Sequence, residues 1–289
     1  MVAAAVGLRS WRLGERSLWF EAFSWQLSRF GWVEMLHRAG RDNNPPLYYA
    51  ALKVWTSLFG DSPAALRSLS VASGAAACLA MYALMVEAFG HGPLAGAERA
   101  RRLGDARWVG VCTAAFVATG VLQVRWGWEA RMYALGTTLA ACSGWLLLRA
   151  LNRGDTRSWL VYAASAVAFA YTHTYALFSL AAQGAFAGGY LIYLRKDRRD
   201  PAVAALRRRA VFAGMLILAG WLPWVPLLRS QHAHVISHPG WPIEEWSVPV
   251  TCFEMFVDPE LPVMGPYDGR IALAACGLVL LALLWRPAA

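Results

Sequence analysis

Long uncharged apolar runs alternate with short polar segments along most of this chain. A helix needs roughly 20 apolar residues to cross a bilayer, with about 17 as the lower limit. Runs that approach or exceed this length lie at 68–86, 108–124, 132–148, 158–194 and 210–228, with a shorter one at 271–285. The pattern predicts an all-α fold, a multi-pass bundle of transmembrane helices.

The run 158–194 is too long to be one membrane span. As a single helix it would measure about 55 Å at roughly 1.5 Å per residue, whereas a bilayer core is about 30 Å thick. A hairpin that turns at residues 172–174 instead places Arg157 and the basic cluster beginning at Arg195 on the same side of the membrane. We therefore predict two spans here and about seven in total.

The distribution of lysine and arginine predicts the orientation of these spans. Basic residues concentrate at 87–107, 149–157 and 195–209, and they are sparse at 125–131 and 229–270. Because cytoplasmic loops carry an excess of lysine and arginine, the first set is predicted to be cytoplasmic. The chain then divides into an extracytoplasmic first loop, 1–67, and a transmembrane domain, 68–289, with an outer loop at 229–270.

The first loop fits the charge rule less well, because it carries more basic residues than an outer segment should. Residues 1–8 are apolar but far too short to span a bilayer, and too short for a cleavable secretory signal. We expect them to be the end of a spanning helix whose upstream part is missing through a truncated or misplaced start.

Composition and charge agree with a membrane location. Hydrophobic residues form 58% of the chain, charged residues form 16%, and the mean hydropathy is +0.38. Soluble domains typically carry about 25% charged residues. The net charge of +9 follows from short basic loops rather than from one basic face, so we expect no nucleic-acid partner.

Residues 46–59 have the pattern of an amphipathic helix lying along the outer membrane surface. Tyr48 and Leu52 fall on one apolar stripe, Asn44 is placed to cap the first turn, and Gly60 follows the last. Such a helix packs its apolar side into lipid or onto neighbouring spans.

Two further polar groups lie at predicted outer span ends. The loop from Arg125 to Arg131 has two interpretations. It is either an aromatic belt with snorkelling arginines at the membrane interface, or a cationic binding site for a phosphate in which Glu129 orients an arginine. His173, beside Tyr175 at the hairpin tip, is either a satisfied interfacial histidine or a group that helps to bind phosphate or sugar.

Several segments, in order, resemble landmarks of one enzyme family. They are SLWFEAFS at 17–24, DNNPPLYY at 42–49, GDSPAALR at 60–67, WEARMYAL at 128–135 and YTHTYALF at 171–178. This series is similar to that of GT-C type membrane glycosyltransferases, in the bacterial branch related to protein O-mannosyltransferases and lipid A aminoarabinose transferases. The resemblance runs from about residue 10 to residue 230.

The resemblance implies transfer of a sugar from a polyprenyl-phosphate donor to an acceptor at the outer face of the cell (inner) membrane. In such enzymes a first-loop carboxylate is the general base for the acceptor, and cationic groups stabilise the departing phosphate. The catalytic candidates are Glu21 and Asp42. The substrate-binding candidates are Asn43, Asn44, Tyr48, Arg125, Glu129, Arg131, Tyr133, His173 and Tyr175.

The chain departs from the family pattern in its first loop. Where relatives have Asp-Glu, this chain has Phe20-Glu21, so the family's favoured base is absent, and Asn44 stands where relatives often have histidine or lysine. Some relatives use a divalent metal near these carboxylates, which makes Glu21 with Asp42 the metal candidate; no other cofactor is expected.

Two alternative functions follow from these observations. One is a non-catalytic or fragmentary relative that retains the lipid-binding groove. The other is a membrane carrier, which is disfavoured because carriers place polar groups near the bilayer midplane, whereas ionisable groups here lie at span ends.

Overall fold

The computed structural model describes residues 1–229 except 12, 16, 19–20, 42–43, 92–95 and 195–199. Within these residues every regular element is a helix, so the all-α prediction is confirmed. The helices are α1 (Val2–Ser10), α2 (Glu21–Arg29), α3 (Trp32–Ala39), α4 (Leu47–Phe59), α5 (Pro63–Gly90), α6 (Gly96–Thr119), α7 (Val121–Arg125), α8 (Tyr133–Arg153), α9 (Thr156–Ala170), α10 (Ala176–Tyr193) and α11 (Pro201–Trp221). Asp42, Asn43, the predicted outer loop beyond Arg229 and the run 271–285 lie outside the described residues.

Four helices of the described chain are long and apolar enough to cross a membrane: α5, α8, α10 and the segment Pro201–Arg229 that extends α11. They support a membrane protein, but the seven predicted spans are not confirmed. The predicted span 108–124 is interrupted at Gly120, whose extended backbone (ψ 130°) ends α6 and separates it from α7. The helix α9 has only 15 residues, short of a full span.

The predicted hairpin within 158–194 is confirmed. The helix α9 ends at Ala170 and α10 begins at Ala176, so the break contains residues 172–174. At the start of the hairpin, Asp155 caps α9 by accepting a hydrogen bond of 2.9 Å from the Ser158 amide. The chain therefore turns where its polar residues interrupt the apolar run.

The segments that the distribution of lysine and arginine predicts to be extracytoplasmic lie together at one end of the bundle. The Ala130 amide donates to the Glu21 carboxylate over 2.7 Å, which joins α2 to residues 126–132. The Leu47 amide donates to the Tyr171 carbonyl over 2.9 Å, which joins the start of α4 to the hairpin turn. We call this end the outer end.

The opposite end gathers the segments that were predicted to be cytoplasmic. The Asn152 side chain donates to the Glu87 carboxylate over 2.9 Å, and Arg209 donates to the Gly154 carbonyl over 2.6 Å. These four hydrogen bonds each join segments with the same predicted sidedness, which agrees with alternate crossing of the bundle.

This arrangement predicts the outcome of cysteine-accessibility labelling in a background without native cysteines. Asp61 and Asp200 are both exposed, at opposite ends of the bundle. A membrane-impermeant maleimide should modify Asp61→Cys in intact cells, and it should modify Asp200→Cys only after permeabilisation. Labelling of position 200 from outside would contradict the orientation.

The helix predicted at residues 46–59 is present as α4, with one correction at its start, while its location along the membrane surface stays a prediction. The expectation that Asn44 caps the helix is wrong, because Pro46 occupies the N-cap position and the Leu47 amide is satisfied by Tyr171 instead. Gly60, with φ 83°, closes the helix as expected. Tyr48, Tyr49 and Leu52 are fully buried in a core shared with Leu66 and Met132, so this face of α4 packs on neighbouring helices.

Candidate active site

A cavity of about 410 Å³ opens at the outer end of the bundle. It lies between residues 126–132, the first turns of α8 and the hairpin turn. Its lining includes Tyr133, His173 and Tyr175, three of the predicted substrate-binding residues. Most of its remaining wall is small or apolar, including Gly74, Ala77, Leu122, Gly136, Ala140 and Phe169. The cavity therefore combines an apolar interior with polar aromatic side chains.

The aromatic side chains along this cavity form a continuous row. The Trp126 and Tyr133 rings meet edge to face with centroids 5.0 Å apart. The Tyr133 and His173 centroids are 6.2 Å apart, and His173 stacks on Tyr175 at 5.1 Å. The contact between Tyr133 and His173 joins distant parts of the sequence, so the tertiary fold completes the row.

His173 has a defined protonation state at neutral pH. Burial lowers the pKa of its imidazole below the ordinary value, and the charge of Arg131 lowers it further. The Nδ1 atom accepts a hydrogen bond of 3.1 Å from the Tyr175 amide, so the proton of the neutral ring lies on Nε2. His173 can therefore donate a hydrogen bond to an oxygen of a ligand without carrying a charge.

The two arginines of the outer loop lie beside the cavity. The Arg125 guanidinium lies over the Trp126 ring, 5.7 Å from its centroid. Arg131 immediately precedes the lining residue Met132 and acts electrostatically on His173. The loop that carries them is fixed to α5, because the Ser70 hydroxyl donates to the Glu129 carbonyl over 2.6 Å. Positive charge is therefore held at one edge of the cavity.

Glu129 is an ionisable group with an altered acidity in the same loop. Burial raises the pKa of its carboxyl, and the nearby Glu21 carboxylate raises it further, whereas Arg125, Arg131 and Arg67 oppose the shift. A carboxyl group with a raised pKa is better matched to proton transfer near neutral pH than an ordinary one. The raised pKa adds Glu129, which is not among the residues that line the cavity, to the carboxylates considered as the base.

Glu21, the predicted base, lies in a buried ion pair with Arg67. Its Oε1 accepts from Arg67 Nε over 2.9 Å and from the Ala130 amide over 2.7 Å, and its Oε2 accepts from Arg67 Nη2 over 2.5 Å. Arg67 also donates to the Leu13 and Ser17 carbonyls. The pair therefore ties the first loop, the start of α5 and residues 126–132 together.

This pairing bears on the chemistry open to Glu21. An ionised carboxylate offers about four acceptor positions, and three described donors already bind this one. A general base needs a position directed at the acceptor hydroxyl. The arrangement favours a positioning role for Glu21, while its role as the base stays a prediction. The other catalytic candidate, Asp42, lies outside the described residues.

The two described candidates of the second motif, Asn44 and Tyr48, are buried. Tyr48 is fully buried in the core and Asn44 is nearly so. Burial raises the pKa of the Tyr48 hydroxyl. Among the described residues that line the cavity, neither is present. The Tyr48 hydroxyl instead lies within electrostatic reach of Glu21, Arg131 and Glu129.

Arg9, a buried cation that the sequence did not single out, supports the wall of the cavity. Arg9 donates to the Val117 and Ala118 carbonyls at the end of α6, both over 2.9 Å. A Cβ at Gly127 would lie 2.5 Å from Arg9 Nε, and one at Gly74 would lie 2.7 Å from it. Both glycines line the cavity, so Arg9 packs directly behind it.

The metal prediction is not tested by this part of the chain. Within the described residues, no group of three or more histidine, cysteine, aspartate or glutamate side chains could hold an ion. The predicted pair of Glu21 with Asp42 includes a residue outside that description.

Comparison with protein-family models, with curated proteins and with solved structures gives no match for this chain. The functional argument therefore depends on the geometry of the site and on the resemblance of the sequence segments that form it.

Proposed function

We propose that this protein transfers a sugar from a polyprenyl-phosphate donor to an acceptor at the outer face of the membrane. One observation carries the proposal: segments that resemble separate landmarks of the same enzyme family meet at one cavity. Tyr133 and His173 line it together, and the segment 42–49 is joined to it through the hydrogen bond from Leu47 to Tyr171.

The two halves of the cavity match the two halves of such a donor. An isoprenoid chain requires apolar surface, which the wall around Gly136 and Ala140 provides. A sugar phosphate requires hydrogen-bond donors and positive charge. The His173 Nε2 proton and the neighbouring Arg131 supply these at the edge of the same cavity.

The proposed reaction is a direct displacement at the anomeric carbon of the sugar. The acceptor hydroxyl forms the new carbon–oxygen bond and gives its proton to a carboxylate, while the bond to the phosphate oxygen breaks. The departing phosphate keeps the electron pair and is stabilised by cationic groups. Glu21, Asp42 and Glu129 are the carboxylates proposed for the proton.

A second candidate function is a non-catalytic relative that binds the lipid donor or a similar lipid. The observation that favours it is that the Glu21 carboxylate already accepts hydrogen bonds from Arg67 and from the Ala130 amide. Both functions require the cavity to bind polyprenyl phosphate, and only the first releases polyprenyl phosphate from a polyprenyl-phosphate sugar. The two functions are separated by an assay in membranes that measures release of polyprenyl phosphate from a panel of polyprenyl-phosphate sugars.

Filling the cavity should weaken binding of polyprenyl phosphate. Ala140→Phe introduces a ring into the lining, and we expect an affinity loss of at least about tenfold, or roughly 1.4 kcal/mol. The matched control is Ala187→Phe, which fills a separate apolar cavity of about 490 Å³ beside α10 and α11. Equal affinities in the two variants, measured on purified protein in nanodiscs, would remove the cavity as the donor site.

The arginine beside the cavity should contribute through its shape as well as its charge. Arg131→Lys keeps the charge but loses the planar fork that binds phosphate with two hydrogen bonds. We expect about fivefold weaker binding of polyprenyl phosphate, from loss of one hydrogen bond worth about 1 kcal/mol. Arg229→Lys, at an exposed position, is the control. If both variants bind like the wild type, the aromatic-belt interpretation of residues 125–131 stands.

A further inference from the structure

The short helix α3 presents large apolar side chains at its surface. Trp32 is 51% exposed, Val33 is 82% exposed and Leu36 is 45% exposed. On the side that packs against the protein, Met35 and Ala39 are fully buried. The apolar character of α3 therefore exceeds what its packing within the chain uses.

The exposed apolar side chains share one face of the helix. At about 100° per residue, Trp32, Val33 and Leu36 fall within a sector of roughly 100°. The charged Glu34 and Arg38 pair with each other in a different sector, over 2.6 Å. Separate buried, apolar and charged faces are typical of a helix that lies in a membrane interface.

The position of α3 places this face at the depth of a span end. A Cβ at Gly40, directly after α3, would lie 3.1 Å from Leu227 Cδ2. Leu227 belongs to the last turn of the candidate span Pro201–Arg229. The helix is therefore level with the point at which a membrane-crossing helix ends, where hydrocarbon meets lipid head groups.

Basic side chains border the apolar face. Lys53 Nζ lies 5.6 Å from the centre of the Trp32 ring, and it donates to the Ser28 and Phe30 carbonyls. Arg29 and Lys53 both line a surface cavity of about 500 Å³ beside Trp32. The described groups around that cavity include one acidic residue, Asp61. An anionic phosphate head group therefore fits the charge of this surface.

The apolar surface continues onto α4. Val54 lines the same surface cavity as Trp32 and is 49% exposed, and Leu58, one turn further on, is 69% exposed. Two helices of the first loop thus contribute to one surface that combines apolar side chains with a basic border.

We propose that α3 is a membrane-surface anchor, with Trp32, Val33 and Leu36 in the outer acyl boundary and Arg29 and Lys53 at the phosphates of anionic lipids. The anchor holds the first loop against the bilayer, and therefore fixes the height of the outer cavity relative to the head groups. This inference does not depend on the proposed transfer reaction, because it follows from the exposure and charge of α3 and of the residues beside it.

The test places an environment-sensitive label on two faces of α3 in the full chain without native cysteines. Val33→Cys carries the label on the apolar face, and Arg38→Cys carries it on the exposed charged face of the same helix. In nanodiscs that contain brominated lipids, we expect severalfold stronger quenching at position 33 than at position 38. Replacing half of the phosphatidylcholine by phosphatidylglycerol should shift the emission at position 33 further to the blue.

Three outcomes would overturn the proposal. Quenching at position 33 that is no stronger than at position 38 would contradict insertion of the apolar face into lipid. Protection at position 33 that increases with the protein-to-lipid ratio, without quenching by lipid, would assign the face to a second copy of the chain. An emission unchanged by phosphatidylglycerol would remove anionic lipids as the partner. Because Val33 is largely exposed, its replacement leaves the packing of the first loop intact.

Discussion

Glu21→Gln is expected to lower turnover by about 100- to 10,000-fold if this carboxylate takes the proton of the acceptor. The amide keeps the shape of the side chain but cannot accept a proton. The measurement is the release of polyprenyl phosphate from a polyprenyl-phosphate sugar, with the binding of polyprenyl phosphate measured in parallel. A base variant loses turnover while it keeps this binding.

The ion pair between Glu21 and Arg67 allows a positioning role of Glu21 to be distinguished from the role of general base. If Glu21 acts only by holding residues 126–132 in place, Glu21→Gln and Arg67→Met should both weaken lipid binding, since Arg125 and Arg131 lie in or beside that loop. The double variant should then regain binding. If Glu21 is the general base, the double variant should bind lipid but remain inactive.

The same assay compares the other carboxylates. Asp42→Asn and Glu129→Gln should each be measured beside Glu34→Gln, an exposed residue in an ordinary surface ion pair that serves as the control. The largest selective loss of turnover identifies the base. If no carboxylate variant lowers turnover, the transfer mechanism fails for this chain and the non-catalytic function is supported.

Arg67→Met is expected to destabilise the protein by about 3–5 kcal/mol, because it leaves the buried Glu21 carboxylate without its counter-charge. The two side chains are only 8% and 7% exposed. The loss should be seen as a lower free energy of unfolding in detergent, from denaturant titration followed by circular dichroism.

The chain offers a matched control for this prediction. Arg38 and Glu34 form the same kind of pair, but their side chains are 49% and 48% exposed. Arg38→Met should therefore change the free energy of unfolding by about 0–1 kcal/mol. In the double variant Glu21→Gln/Arg67→Met most of the stability should return. Equal small losses for Arg67→Met and Arg38→Met would show that the inner pair is not energetically distinct.

The sequence by itself determined the features that depend on local pattern. The long helices α5, α8, α10 and α11, the break within 158–194 and the two groups of segments at opposite ends follow from the lengths of apolar runs and the positions of arginine and lysine. A bilayer imposes these constraints segment by segment, because each crossing must satisfy its own backbone hydrogen bonds and each basic loop its own side. No knowledge of neighbouring helices is needed.

The tertiary structure alone decided which polar groups meet. Nothing in the local pattern indicates that Arg67, at the start of an apolar helix, binds Glu21, or that Tyr171 satisfies the amide of Leu47 in place of a cap from Asn44. The local pattern likewise did not predict that one apolar face of α3 is exposed, since its short apolar pattern fits burial and lipid contact equally well. Partners in these contacts lie far apart in the sequence. Their pairing follows from helix packing, because a buried charge or amide is stabilised by whichever group the packed helices bring within hydrogen-bond distance.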